Sequence, residues 1–375
     1  SHQQSMIEVQ TCLESERWER VDVPGTYAQL LAEIVGACVE QRQSLADGSD
    51  QKVLGNDGLE QDRCIHLRGL RFLAIPAVLT LIQLLAQYTR LCREWGSCGP
   101  QIIWCMSQLL RHFNQQVHRL VLGGQAVHSQ ALKKINATHL ALCCQCCSLL
   151  EVLVPCMQEE LVRIVEEGCQ PSRDVLLEPL GDLSKIVSEL TSHRSEIFDK
   201  LSTILRERYE HHAKLWLGSP HPEVGADAAT LARLGEAHPD VPLYPHVALE
   251  GLVRDIAAMY TVLAKSLGPD GVQKIFGKAF AEIAERFEQR FASGVAAQYP
   301  PYEGIEFRSL GDRLLMDIAF LQEQLGRLHF IAVPLQHLLS DLVHHIRARS
   351  SMEDPLRRPH PSTFEALRRS GRIPQ

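Results

Sequence analysis

Apolar residues recur along this chain at helical spacing, three or four positions apart, in runs longer than a strand would need. From Tyr27 to Glu40, Leu30, Leu31, Ile34, Val35 and Cys38 share one face. Residues 68–94 read as a long apolar helix with Pro76 as a kink. The stretch 100–122 opens on Pro100, which suits a first turn, and stops at Gly123-Gly124, which suits a helix end. Residues 137–166 predict another helix, bent at Pro155. Between 180 and 216, Leu183, Ile186, Val187, Leu190, Ile197, Leu201, Ile204 and Leu205 mark an apolar stripe on an otherwise charged surface. Helices over 247–267, 269–291 and 309–349, the last broken near Pro334, complete the pattern. No strand run or fixed-period repeat emerges. The expectation is an all-α protein built as elongated, stacked helical bundles with antiparallel neighbours.

Polar, Gly- and Pro-rich stretches at 41–60, 218–246, 292–304 and 350–362 read as loops, linkers or tail. The length, 375 residues, suits more than one domain. All twelve cysteines lie between Cys12 and Cys169, and that abrupt end places the expected boundary near 170. Two bundle domains, 1–170 and 171–375, follow. The cysteines occupy apolar helical surroundings rather than loops, which favours a reducing compartment over a disulfide scaffold.

Charge and composition narrow the function. A net charge of -7 argues against a surface devoted to nucleic acid. The apolar run FLAIPAVLTLIQLLA, 72–86, falls short of the about 20 residues that a bilayer span needs and reads as a buried helix. The chain opens SHQQSMIEVQ with no start methionine or targeting peptide, so it reads as a piece of a longer protein.

Candidate chemistry centres on LALCCQCCSLL, 140–150. Its four thiols, Cys143, Cys144, Cys146 and Cys147, span roughly 160° of one helix. Leu140, Leu142, Leu149, Leu150, Leu153 and Val154 fill most of the remaining circumference, and only Gln145, Ser148 and Glu151 form a polar strip. One helix can present two ligands to a metal, such as Cys143 and Cys147, but not four. Burial as small apolar groups is the favoured reading. The alternative is a metal- or thiol-dependent helical protein that uses Cys143 to Cys147, with its other ligands on other elements.

Further patterns are weaker. Seventeen histidines include pairs at 211–212 and 344–345 and the scattered His112, His118, His128 and His139. His193-x-x-Glu196 could ligate a metal, but two ligands on one helix are not a site. LVLGGQA, 120–126, lacks the lysine of a phosphate loop and reads as a tight turn. Asn136 or Thr138 caps the helix that follows. The tail from His344 to Gln375 holds seven arginines and three acids. It reads as a solvated end, with contact to anionic lipid or an acidic partner as the second reading. Ser362-Thr363-Phe364-Glu365 within it has the form of a capping box. No catalytic, cofactor-binding or metal residues are assigned, and no enzyme activity or small-molecule substrate is expected.

Three segments add a resemblance. RWERVDVPGTYAQLLAEI, 17–34, resembles the opening of the central region of the vacuolar protein sorting-associated protein 54 family. HFNQQVHRLVLGGQAVHSQALKKINATHLALCCQCCSLL, 112–150, is similar to the family at Phe113, Asn114, Leu120, Val121, Leu122, Gly123, Leu132, Lys133, Ile135, Leu140, Ala141 and Leu142. SHRSEIFDKLSTIL, 192–205, is similar at His193, Glu196, Ile197, Lys200, Leu201 and Ile204. Gly124 and Gln125 depart from the family's glycine-alanine run, and the four cysteines are no part of its pattern.

The resemblance implies the carboxy-terminal region of a subunit of the Golgi-associated retrograde protein (GARP) complex, a helical-rod vesicle tether. Such a subunit would be non-catalytic, with its joining coiled coil outside this stretch. It would serve protein transport from endosomes to the trans-Golgi network, with the other subunits and SNARE proteins as partners. Its place would be peripheral, on the cytoplasmic face of the trans-Golgi network and endosomes, and this region would contribute endosome or membrane-factor association. Gly123 and Lys133 are expected to be structural.

Overall fold

The computed structural model describes residues 1–36, 64–124, 127, 134–168, 173–218, 247–292, 307–326 and 339–340. They form an all-α helical protein with one small hairpin. The helices are α1 His2–Glu14, α2 Thr26–Val35, α3 Pro76–Glu94, α4 Gly99–Val121, α5 Ala137–Gly168, α6 Arg173–Gly218, α7 Val247–Ser266, α8 Pro269–Ala292 and α9 Phe307–Gly326. The loops expected at 41–60, 218–246 and 292–304 lie outside the described residues, save Gly218 and Ala292 at helix ends. The arginine-rich tail lies outside them too.

The sequence pattern misplaces the start of α3. Ile65–Leu67 and Leu70–Phe72 pair as antiparallel strands β1 and β2, in register Ile65 to Phe72. Arg68 and Gly69 both take positive φ, 50° and 74°, the backbone that a two-residue hairpin turn requires. Three-residue strands are too short to leave a period of two in the sequence. Helix α3 therefore begins at Pro76, and this proline opens the helix instead of kinking it.

No side chain within α3 caps its amino end. Glu16 does so from the segment after α1. Its Oε2 accepts from the Ala77 N–H at 2.9 Å, and its Oε1 accepts from the Trp18 N–H at 3.0 Å. Burial raises the Glu16 carboxyl above its ordinary range, although the hydrogen bonds from Ala77, Trp18 and Arg17 oppose that rise. Glu16→Ala strands two buried donors and is expected to cost about 1–3 kcal/mol in denaturant unfolding. Glu16→Gln, which keeps an acceptor oxygen, should cost less.

The predicted ends of α4 hold. Leu122 and Gly123 both donate to the His118 carbonyl, at 2.9 and 3.1 Å, and Gly124 follows at φ 70°. A Cβ on Gly123 would lie 2.6 Å from the Arg119 carbonyl oxygen, so only glycine fits there. Asn136 caps α5, its Oδ1 accepting from the His139 N–H at 3.0 Å. Lys133 lies outside the described residues.

Helix α5 is the centre of the first core. Leu140, Ala141, Leu149, Leu150, Leu153, Val154, Cys156 and Met157 are almost wholly buried. By length and composition α5 could cross a membrane, whereas the sequence pattern weighed only 72–86 for that and read it as too short. The fold covers 78% of the most apolar window of α5, however, as expected of a core helix. Its polar strip is also used. Gln145 Oε1 accepts from the Leu73 N–H just past β2, at 3.2 Å, and Glu151 pairs with Arg194 at 2.9 Å.

The contacts divide the chain into two compact units, Ser1–Ile197 and Phe198–Gln375. The border falls inside α6, whereas the end of cysteine usage pointed to 170. Leu176, Leu183, Ile186 and Leu190 of α6 are buried, so its first half belongs to the first core.

In the first unit, α4 and α6 run parallel: Arg111 faces Asp182, Asn114 faces His193, and His118 faces Glu196. Helix α5 runs against α6, since Gln158 bonds the Leu180 carbonyl while Glu151 pairs with Arg194. In the second unit, Asp199–Lys278, Arg206–Glu282 and Glu210–Arg286 form a ladder, so the rest of α6 runs parallel to α8. Partly exposed pairs of this kind contribute little stability each and mainly fix register. In the same unit, Trp216 Nε1 donates to the buried Asp317 at 2.8 Å.

Candidate functional site

The apolar stripe of α6 runs through buried Leu183, Ile186, Leu190, Ile197, Leu201 and Leu205. Between Leu190 and Ile197, the position that completes the helical spacing is His193. Its residue is only 2% exposed. The stripe thus drives an imidazole into the core where α4, α5 and α6 meet. That gap in the stripe is the one signal in the sequence that could have found it.

On α5, Cys143 and Cys147 stand one turn apart on the face turned toward α6, and both are buried. Cys143 Sγ lies 3.9 Å from His193 Nε2, and Cys147 Sγ lies 3.7 Å from Nδ1. From α4, Asn114 Oδ1 lies 2.7 Å from His193 Nδ1. A carbonyl oxygen only accepts, so Nδ1 carries the ring proton and donates it to Asn114. Nε2 is left with its lone pair toward Cys143.

The two thiols differ. Burial, reinforced by the neighbouring sulfurs, raises Cys143 well above the ordinary thiol range. Cys147 is lowered, first by the hydrogen bond from Cys143 and then, against the cost of burial, by His193 and Arg194. The remaining thiols of the cluster behave as packing. Burial pushes Cys144 and Cys146 up, and on α3 it takes Cys92 to about 11.

Beside this cluster a cleft of about 320 Å³ opens between α4 and α6. Asn114 and His193 line it from within, with His118, Arg119, Glu189 and Glu196 around them. His118 and Glu196 pair across it at 2.8 Å, and the His118 ring centroid is 5.0 Å from that of His193. The two halves of the His193-x-x-Glu196 pair therefore part company. His193 turns into the core, and Glu196 closes the rim. Of the scattered histidines, His118 comes beside His193, and in the second unit His212 pairs with Asp255 at 3.1 Å. His128, His344 and His345 lie outside the described residues.

Asn114 and His193 come from two separate segments on which the family resemblance rests. Residues 70–208, from β2 into α6, match the family model described as Vps54-like protein. These residues form a Vps54-like region. The chain is 26% identical to the vacuolar protein sorting-associated protein 54, chloroplastic, of Arabidopsis thaliana, over 64% of its length and 21% of that protein. It is 24% identical to the Homo sapiens vacuolar protein sorting-associated protein 54, over 56% of the chain and 21% of the relative. For the Drosophila melanogaster protein the identity is 20%, over 92% of the chain and 31% of the relative. The chain thus spans about a fifth to a third of these curated relatives. No solved structure matches it. The Vps54-like region holds the whole cluster: Asn114, Cys143, Cys147 and His193.

Proposed function

We propose that the chain is a carboxy-terminal portion of a non-catalytic subunit of a vesicle tether, the Golgi-associated retrograde protein complex. The match of residues 70–208 to the Vps54-like model carries this reading. The names of the relatives, which state vacuolar protein sorting, support it. A binding role also agrees with the physics of the fold. The helices spend their apolar faces on each other, and their outer faces carry charged pairs that fix register.

In this role the chain works with the other subunits and with SNARE proteins on carriers returning from endosomes to the trans-Golgi network. It associates peripherally with the cytoplasmic face of those membranes, and this region contributes contact with an endosomal factor. The test is replacement of the full-length subunit in cells by a form lacking residues 64–218. Assembly with the other subunits is expected to persist, because the joining coiled coil would lie elsewhere, while cargo return to the trans-Golgi network falls. Normal cargo return with the deleted form would overturn the assignment of this role to the region.

A further inference from the structure

Cys143, Cys147 and His193 have ligand atoms within 4.8 Å of one another, the one such buried trio among the described residues. We propose that they form a binding site for a thiophilic transition-metal ion of the zinc class, pinning α5 to α6. This inference is independent of the tethering role and goes beyond it.

The ligand atoms lie close enough to converge, with Cys147 as the one that must shift toward Nε2. Around a tetrahedral ion with about 2.3 Å to sulfur and about 2.0 Å to nitrogen, neighbouring S and N ligands lie about 3.6 Å apart. Cys143 Sγ and His193 Nε2 are 3.9 Å apart. Cys143 and Cys147 point the same way because they are four residues apart on one helix, as two ligands from a single helix must be.

The surroundings fit as well. A metal-bound histidine needs its other ring nitrogen to donate to a fixed acceptor, which sets the tautomer and the ring plane. Asn114 Oδ1 is that acceptor, at 2.7 Å from Nδ1 and itself buried. Nε2 then faces Cys143 as the ligand, and Cys147, whose sulfur lies 3.7 Å from Nδ1, turns toward Nε2 to complete the set. The charge also closes. In the bound state both sulfurs are thiolates, and two thiolates with one dication leave no net charge in the core. Three protein ligands leave a fourth position on a tetrahedral ion for a water or another small ligand. Plain packing of small apolar thiols accounts for Cys144 and Cys146. It gives no reason for a buried imidazole oriented by a buried amide over the other two.

The test uses the full chain, purified reduced and without chelator, and titrated with Co²⁺ as a spectroscopic stand-in for zinc. One equivalent is expected to bind, with thiolate-to-cobalt charge-transfer absorption and the intense d–d bands of a tetrahedral site. Zinc should displace the cobalt. Cys143→Ala with Cys147→Ala should abolish the bands, and so should His193→Ala. Cys144→Ala with Cys146→Ala should keep them. Asn114→Ala should weaken binding about 10- to 100-fold while retaining the spectrum. Circular dichroism checks the helices of each variant. Folded wild-type chain that gives no charge-transfer band overturns the site, whatever the variants do. Bands that survive the Cys143 and Cys147 double replacement overturn it equally.

Discussion

Trp18→Ala lowers the stability of the first unit by about 3–5 kcal/mol, the cost of emptying a large buried aromatic site. The residue is 1% exposed and is among the largest fully buried side chains. It is also held in an unusual backbone, at φ 56°, with its N–H donated to Glu16. The same carboxylate caps α3, so the indole and the start of that helix are set by one residue. Trp18→Phe should behave differently. It keeps most of the volume and removes an indole Nε1 that is buried with no hydrogen-bond partner. Its cost should stay below about 1.5 kcal/mol. Denaturant unfolding of the full chain, with hydrogen exchange in α3 and α4 assigning the transition, measures both. Equal losses for the two variants would mean that the shape of the full indole, and not buried aromatic volume in general, holds this site.

The second large effect belongs to Glu160 on α5. Its side chain is 3% exposed and accepts from Arg93 at 2.9 Å and from Arg163 at 2.7 Å. Arg93 also donates to the Glu33 carbonyl near the end of α2, at 2.7 Å, so the network ties α2, α3 and α5 together. Removing one partner of a fully buried ion pair costs about 3–5 kcal/mol. Here the side chains of Arg93 and Arg163 remain 36% and 49% exposed, so water partly compensates them. Glu160→Ala is therefore expected to cost about 2 kcal/mol, below that range.

The pH dependence checks the cause. Burial alone would raise the Glu160 carboxyl, but hydrogen bonds from Arg163 and Arg93 outweigh it and hold the group below its ordinary value. A lowered folded value means that the unfolded chain takes up the proton first as pH falls. The stabilisation is thus complete above the unfolded value, about 4.3, and fades as pH drops through the folded one. Wild type and Glu160→Ala should differ most near neutral pH and converge in acid. A gap that stays constant down to strong acid would assign the loss to packing instead.

Much of the fold was legible from spacing. The stripes of α4 to α8 were found to within a few residues, except that α6 starts at Arg173 rather than 180. Burial against several neighbours leaves a strong 3.6-residue period, and Gly123-Gly124 and Asn136 mark helix ends by chemistry that acts within one turn. The hairpin before α3 was missed because three residues per strand leave no period. Helix α1 was missed because its apolar pattern is faint: among its thirteen residues only Val9 and Leu13 are buried.

The candidate site divides in the same way. Sequence alone established an all-α chain, a buried helix bearing Cys143 to Cys147, and a histidine at a fixed offset from Glu196. Each of these is local, determined by residues within a few turns of one helix. Only the tertiary structure decided that His193 faces the two thiols and that Asn114 orients it. Only the tertiary structure placed Glu16 on a helix 61 residues away. Those pairings depend on the direction and register of packed helices, and register is fixed by how whole faces fit together. No single segment of the chain contains that information.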